Sequence, residues 1–398
     1  MLRIPFVPLL LLLLLGLPAF SQEIRRLDGL SIASAEAEAI ARKAFDAHGV
    51  KGAQVAVLNQ GRLVWSFAHG VQSENPPAAM STKSTLWAAS ITKAVFGTYV
   101  AQLVEKGEFA LDHPVAAQLG APLDSFEVYK TTGSELVKDP RWRKVTPRHL
   151  LSHTSGLLNF AFLEPDKKMH LHFSPGKRYQ YSGEGINLVQ FLVERKMGKP
   201  LQELMDDAFF KPFGMGATGL IYRKEWEGIA ADRFDKAGKF RAKTRRFPAR
   251  AAGSMSTSAE DLARFLIAFF EGKVLRSSRE LFQPNVRMRS LHQFALAANE
   301  PDGEEAKRVG LAYGLGWGLL TKTKYGPAFF KEGHGDGAQN YLICFEMSKS
   351  CMILLTNSDN GELAFRELNE RILGNTVTPW EWEGYTPGYI EASRKLGN

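Results

Sequence analysis

A serine and a lysine three positions apart, in the run Leu86-Trp87-Ala88-Ala89-Ser90-Ile91-Thr92-Lys93, are the residues of this chain best suited to nucleophilic chemistry. A serine hydroxyl is a weak nucleophile until a neighbour takes its proton or stabilises its alkoxide. On a helix, side chains three apart share a face, so the Lys93 amine can approach the Ser90 hydroxyl. Burial lowers a lysine pKa, and a lysine so placed can help remove the proton. The first turn of a helix also offers unpaired amides and a dipole that favour developing negative charge. By itself the same spacing suits an N-cap serine beside a solvated lysine, so the surrounding elements have to decide.

Apolar residues at Ile91, Val95, Tyr99, Val100, Leu103 and Val104, with Gly107 behind them, predict a helix over 90–106. A second Ser-x-x-Lys, Ser174-Pro175-Gly176-Lys177, runs through a Pro-Gly turn and offers no helical face. Upstream, a helix is expected over 34–48 and strands over 54–58 and 62–67. Downstream, helices are expected over 184–196 and 259–270, then strands over 313–320, 328–332, 339–347 and 351–356, and a last helix over 362–373. Strand patterns at both ends with helices between predict a mixed α/β (α+β) fold. Residues 22–113 and 310–398 build one antiparallel sheet flanked by terminal helices, and a mainly helical domain, 114–309, is inserted.

The chain opens Met1-Leu2-Arg3, runs through seven leucines from Leu9 to Leu15, and reaches Ala19-Phe20-Ser21. This reads as a signal peptide over 1–21, too short for a membrane span and cleaved before Gln22, so the mature protein is expected to be periplasmic or secreted. The remaining length exceeds what one core usually supports, hence two lobes. A formal charge of +8 on an exported protein suits anionic surfaces ahead of nucleic acid. The basic stretch 223–250 reads as a solvated loop. The two cysteines, Cys344 and Cys351, would face each other if Met347-Ser348 turns a hairpin. Either a disulfide or two small buried hydrophobes fits.

Several further phrases appear in order: Leu111-Asp112-His113-Pro114-Val115, Leu150-Leu151-Ser152-His153-Thr154-Ser155-Gly156-Leu157, Pro175-Gly176, Tyr181-Ser182-Gly183, Pro212-Phe213-Gly214-Met215, Tyr313-Gly314-Leu315-Gly316-Trp317 and Gly333-His334-Gly335. With Ser90-Ile91-Thr92-Lys93 they make the chain resemble the serine β-lactamase and penicillin-binding protein superfamily, in its class C β-lactamase-like branch. That branch also holds esterases, D-aminopeptidases and D-alanyl-D-alanine carboxypeptidases.

The resemblance implies a site in the cleft between sheet and helical domain. Ser90 would be the acylated nucleophile, Lys93 its partner, and Tyr181 the base that takes and returns the proton; Tyr179 is the competing tyrosine. The oxyanion would be held by the amides of Ser90 and Gly337. Gly183, His334, Gly335 and Asp336 would line the substrate cleft, and His153 would belong to a structural turn.

Two departures stand out. Gly183 replaces the asparagine of the family's Tyr-x-Asn, and His334-Gly335-Asp336 stands where the family has Lys-Thr-Gly, which disfavours β-lactam hydrolysis. Asp336 would oppose an anionic intermediate or select an amine if it points inward, and would have no bearing on catalysis if it points outward.

No Gly-x-Ser-x-Gly or His-Glu-x-x-His motif supports an α/β-hydrolase or a zinc enzyme, and no metal or cofactor is expected. The expectation is an exported serine hydrolase acting on a small ester or amide, peptidoglycan-derived substrates included. An esterase leads, followed by a D-amino-acid-specific peptidase or a weak β-lactamase; an idle relative that binds peptidoglycan or a partner is the non-enzymatic alternative. Nucleic acid and a stable membrane span are not expected, and the oligomeric state is left open.

Overall fold

Residues 23–294 and 301–395 are described in the structure, a computed structural model. The expected leader, 1–21, lies outside them. Among the described residues one antiparallel sheet holds nine strands. In chain order they are β1 (Gly52–Asn59), β2 (Arg62–Glu74), β3 (Pro77–Ala79), β4 (Val286–Arg287), β5 (Leu311–Tyr313), β6 (Gly318–Leu320), β7 (Ala328–Gly335), β8 (Ala338–Phe345) and β9 (Ser350–Thr356). Their order across the sheet is β4-β5-β6-β7-β8-β9-β1-β2-β3. The two ends of the chain meet where β9 pairs with β1, Cys351 opposite Leu58 through Thr356 opposite Ala53.

Every residue of β1 is buried because both faces of the sheet are covered. Val55 and Val57 face a core shared with helix α1 (Ser34–Ala47) and the helical segment 361–373. Ala56 and Leu58 face the opposite core, shared with α2 (Ile91–Glu105) and α4 (Ala259–Phe270); α3 (Gly183–Met197) lies farther out in the same cluster. This is the period-2 alternation of a strand with two dry faces. Helix α2 is caught between the sheet and the inserted segment, so it is buried on nearly all sides, Lys93 included.

Two local expectations are corrected, and one alternative left open is decided. The strand expected over 313–320 is two strands, β5 and β6, with Tyr313 opposite Gly318. Gly316, at φ 78°, makes the turn between them, and a Cβ there would lie 2.3 Å from the Lys93 carbonyl oxygen. The turn therefore rests directly on α2, which no side-chain-bearing residue would allow. Residues 286–287, within the stretch read as helical insert, form the edge strand β4. The cysteines do face each other across the β8–β9 hairpin and are joined as a disulfide, with Cα atoms 4.1 Å apart.

Candidate active site

Ser90 occupies the cap position of α2 and its side chain makes no capping bond to the helix, which leaves the hydroxyl for other partners. The residue before it, Ala89, is held at φ 47°, a left-handed conformation that costs a residue with a Cβ roughly 1–2 kcal/mol. Bonds from the Thr92 amide (3.1 Å) and hydroxyl (2.5 Å) to the Ala89 carbonyl hold it there. One turn on, Lys93 Nζ lies 2.9 Å from Ser90 Oγ and also donates to the Ala252 carbonyl. Burial drives the Lys93 pKa well below its ordinary value, and the nearby Lys331 charge adds to the effect. The shift favours the neutral amine, the form of Lys93 that can take the proton of the serine beside it.

Tyr181 stands just ahead of α3, which Ser182 caps by accepting from the Gly185 amide at 3.0 Å. His153, itself at φ 58°, accepts from the Ser182 amide at 3.1 Å, and its ring lies 4.4 Å from that of Tyr181. His153 therefore sets the tyrosine's position. The Lys93 Nζ sits 4.9 Å from the Tyr181 ring centroid. Burial pushes the Tyr181 pKa up to about 12, against the lowering pull of Lys331 and of a hydrogen bond with Ser90. Tyr179 packs among His153, Tyr313 and Trp382, and its hydroxyl accepts from Gln293.

The largest omission from the sequence reading is Lys331. Its Nζ is 3.4 Å from the Tyr181 hydroxyl and it is ion-paired with Glu332, both side chains being essentially inaccessible. Burial opposes the charge on each, yet their mutual attraction raises Lys331 and lowers Glu332, so the pair stays ionised. Gln293 donates to Glu332 Oε1 at 3.2 Å. Lys331-Glu332-Gly333 is the Lys-x-Gly phrase that was sought three residues farther along.

Gly333 is where β7 touches α2. A Cβ added to it would lie 2.3 Å from the Ala88 carbonyl oxygen and 3.3 Å from the Ser90 nitrogen. The hydrogen-bonding alternation of β7 then decides which amides are free. Pro327 accepts from Glu346 on the β8 side, so Lys331, Gly333 and Gly335 also face β8. Glu332 and His334 direct their amides to the opposite edge, where pairing with β6 goes no farther than Phe330. The His334 amide, one residue past the Gly333 contact, is therefore open toward the cleft beside the Ser90 amide.

Gly337 is not such a donor. Its N–H is bonded to Asp359 Oδ1 and it packs on Arg233 and Phe234. Gly183 is also displaced from the cleft wall, because a Cβ there would lie 2.7 Å from the Phe160 ring, and Asn159 accepts from its amide. Gly335 backs onto Trp87, whose ring a Cβ would strike at 2.1 Å. Asp336 lies exposed in the turn after β7, its carbonyl accepting from Arg233 at 2.6 Å, and points outward. His334 borders the cleft, while its imidazole lies 3.2 Å from Glu362 and against the Tyr385 ring.

The cleft has a volume of about 640 Å³. Ser90, Lys93 and Tyr181 form its floor, and Trp87, Asn159, Phe160, Asn187, Arg246 and Phe247 are among its walls. The arrangement offers a serine beside a buried amine of lowered pKa, a phenol able to give a proton, and two amides for an oxyanion. A Gly333→Ala replacement is expected to lower kcat/KM about 10²-fold, the scale of losing an oxyanion donor. Steady-state kinetics beside a thermal melt separates displacement of β7 from unfolding.

A model of the family described as Beta-lactamase matches residues 37–375. The chain belongs to the β-lactamase family. At that level it is a serine hydrolase. Esterase EstB of Burkholderia gladioli is 28% identical over 221 residues, which cover 49% of this chain and 53% of that protein. The match thus spans about half the length of that esterase. Penicillin-binding protein 4 of Amycolatopsis lactamdurans is 26% identical over 356 residues, 83% of this chain and 88% of that one. Among solved structures, a class C β-lactamase superposes with a TM-score of 0.67 at 14% identity, covering 86% of this chain and 97% of the other. A D-alanine carboxypeptidase AmpC from Burkholderia cenocepacia gives 0.65 at 16% identity, covering 84% and 98%. These structural likenesses bear out the antiparallel-sheet-plus-helices fold of the β-lactamase family.

Proposed function

We propose that this β-lactamase-family protein hydrolyses a small ester through a Ser90 acyl-enzyme. The observation that carries the reading is the buried Lys93 amine 2.9 Å from the Ser90 hydroxyl, its pKa driven well down by burial. Lys93 takes the Ser90 proton as Oγ bonds to the substrate carbonyl carbon, and the carbonyl oxygen becomes an anion held by the Ser90 and His334 amides. The bond to the leaving alkoxide then breaks, and Tyr181 supplies its proton to that oxygen. The Lys93 ammonium returns a proton to Tyr181, so the net transfer is from serine to leaving group. Water repeats the sequence on the acyl-enzyme, releasing the acid and restoring Ser90.

In this scheme Tyr181 begins as a proton donor and Lys93 as the first acceptor, since burial pushes the phenol up to about 12 and drives the amine well below its ordinary value. The resemblance implied the reverse order. Ester hydrolysis ranks ahead of β-lactam or peptide cleavage because Lys331, the lysine of the Lys-x-Gly phrase, is buried and already paired with Glu332, so it is not free to attract a substrate carboxylate. The similarity to an esterase supports the same ranking. The disulfide suits an oxidising compartment and supports the proposal that the protein is exported.

Hydrolysis of p-nitrophenyl butyrate tests the reading. Ser90→Ala is expected to lower kcat by at least about 10³-fold, the scale of losing a nucleophile. Acid-quenched wild-type protein should carry one butyryl mass increment on the peptide containing Ser90. Equal rates in both proteins would end the proposal.

A further inference from the structure

The cleft holds more cationic groups than its chemistry uses, and their pairing identifies which are free to meet a substrate. Lys93 is engaged with Ser90 Oγ and the Ala252 carbonyl, and Lys331 is held against Glu332. Two arginines from the stretch read as a solvated loop reach the cleft instead: Arg246 and Arg250 both line it. Neither makes an ion pair among the described residues, whereas their neighbour Arg245 pairs with Glu227. The carboxylates nearest them are weak competitors. Glu184, also in the cleft wall, attracts Arg250 without forming an ion pair with it; burial pushes its pKa up, and it accepts from the Ala161 amide at 3.3 Å. Asp336 attracts Arg246 from the exposed turn without touching it.

Arg246 is also built into position. Its guanidinium lies 3.9 Å from the centroid of the Trp87 ring, and Arg233 approaches the same ring at 5.0 Å. Trp87 is fixed in turn by a 2.6 Å bond from its indole nitrogen to the Gly253 carbonyl. A guanidinium stacked on an aromatic face keeps its in-plane N–H groups free for a planar anion. Since the leaving group must depart beside Tyr181, which gives it a proton, the Trp87–Gly253 wall is left for the acyl chain.

We infer that Arg246, assisted by Arg250, forms a subsite for a carboxylate carried on the acyl part of the substrate, so that the enzyme selects half-esters of short dicarboxylic acids. This rests on the ester-hydrolase reading above and narrows its substrate class. A charge-assisted bond of this kind is worth about 10- to 100-fold in discrimination.

The test compares p-nitrophenyl monoglutarate with p-nitrophenyl butyrate, which share a leaving group. The wild-type ratio of kcat/KM, corrected for spontaneous hydrolysis, is expected to favour the glutarate about tenfold or more. Arg246→Gln should remove most of that preference, and Arg246→Lys should keep part of it. A ratio unchanged by Arg246→Gln overturns the subsite. An Arg246-dependent preference for p-carboxyphenyl butyrate over phenyl butyrate overturns its placement on the acyl side. If neither ester is hydrolysed, the hydrolase reading fails, but calorimetric titration of glutarate into Ser90→Ala and Ser90→Ala/Arg246→Gln still decides the subsite. Binding lost with Arg246 supports it; equal or absent binding in both overturns it.

Discussion

Lys93→Met lowers kcat/KM for p-nitrophenyl butyrate by about 10³-fold, within the range for removing a general base, without lowering the melting temperature. Lys93 is 1% exposed and makes its polar contacts to Ser90 and the Ala252 carbonyl. An apolar chain of similar length fills the same space and removes the desolvation cost of an amine. Activity and stability therefore move independently, which a merely misfolded variant would not reproduce. The wild-type pH profile carries the complementary signature. A base must be unprotonated, and the Lys93 pKa is held well below its ordinary value by burial and the Lys331 charge. The rate should therefore level off below the pH at which a lysine near its usual value of about 10.4 would still leave it climbing about tenfold per pH unit. A continuous rise to pH 10 would show that Lys93 is charged at rest and is not the first proton acceptor.

Glu332→Gln is expected to cost about 3–5 kcal/mol of stability at pH 7, the penalty for stranding one member of a buried ion pair. Lys331 and Glu332 have side-chain exposures of 0% and 3%. In the wild type Lys331 is raised above its ordinary value, so its contribution is fully present at neutral pH and is lost only as pH climbs through that raised value. Without Glu332, burial is left as the dominant influence and depresses Lys331 in the folded state alone. The unfolded chain then binds more protons, and stability rises with pH. Denaturant titrations at pH 7 and 9.5 should show the variant recovering part of its deficit at the higher pH. A variant as stable as the wild type at pH 7 would mean that the pair contributes nothing.

What the sequence determined by itself was local and periodic. Helix α2 was legible because its apolar residues recur at helical spacing and Gly107 follows, and Ser90 and Lys93 lie one turn apart on any such helix. The single sheet was legible because strand alternation occupies both ends of the chain, and β9 does meet β1. Tertiary structure decided what one-dimensional order cannot carry. The open oxyanion-side amide belongs to His334 and not Gly337, because strand parity and the early end of β6 determine which N–H groups lack a ladder partner.

Lys331 stands in a Lys-x-Gly phrase too short to mark a site by itself, and only the approach of Tyr181, 150 positions away, makes it part of the site. Gly183 is glycine because Phe160 fills the space where a side chain would stand. Arg246 was read as solvated because a charged loop is usually so; its stacking on Trp87 brings it to the cleft. In each case the deciding partner is distant along the chain, and the identity of that partner, unlike helical or strand period, leaves no mark on neighbouring residues.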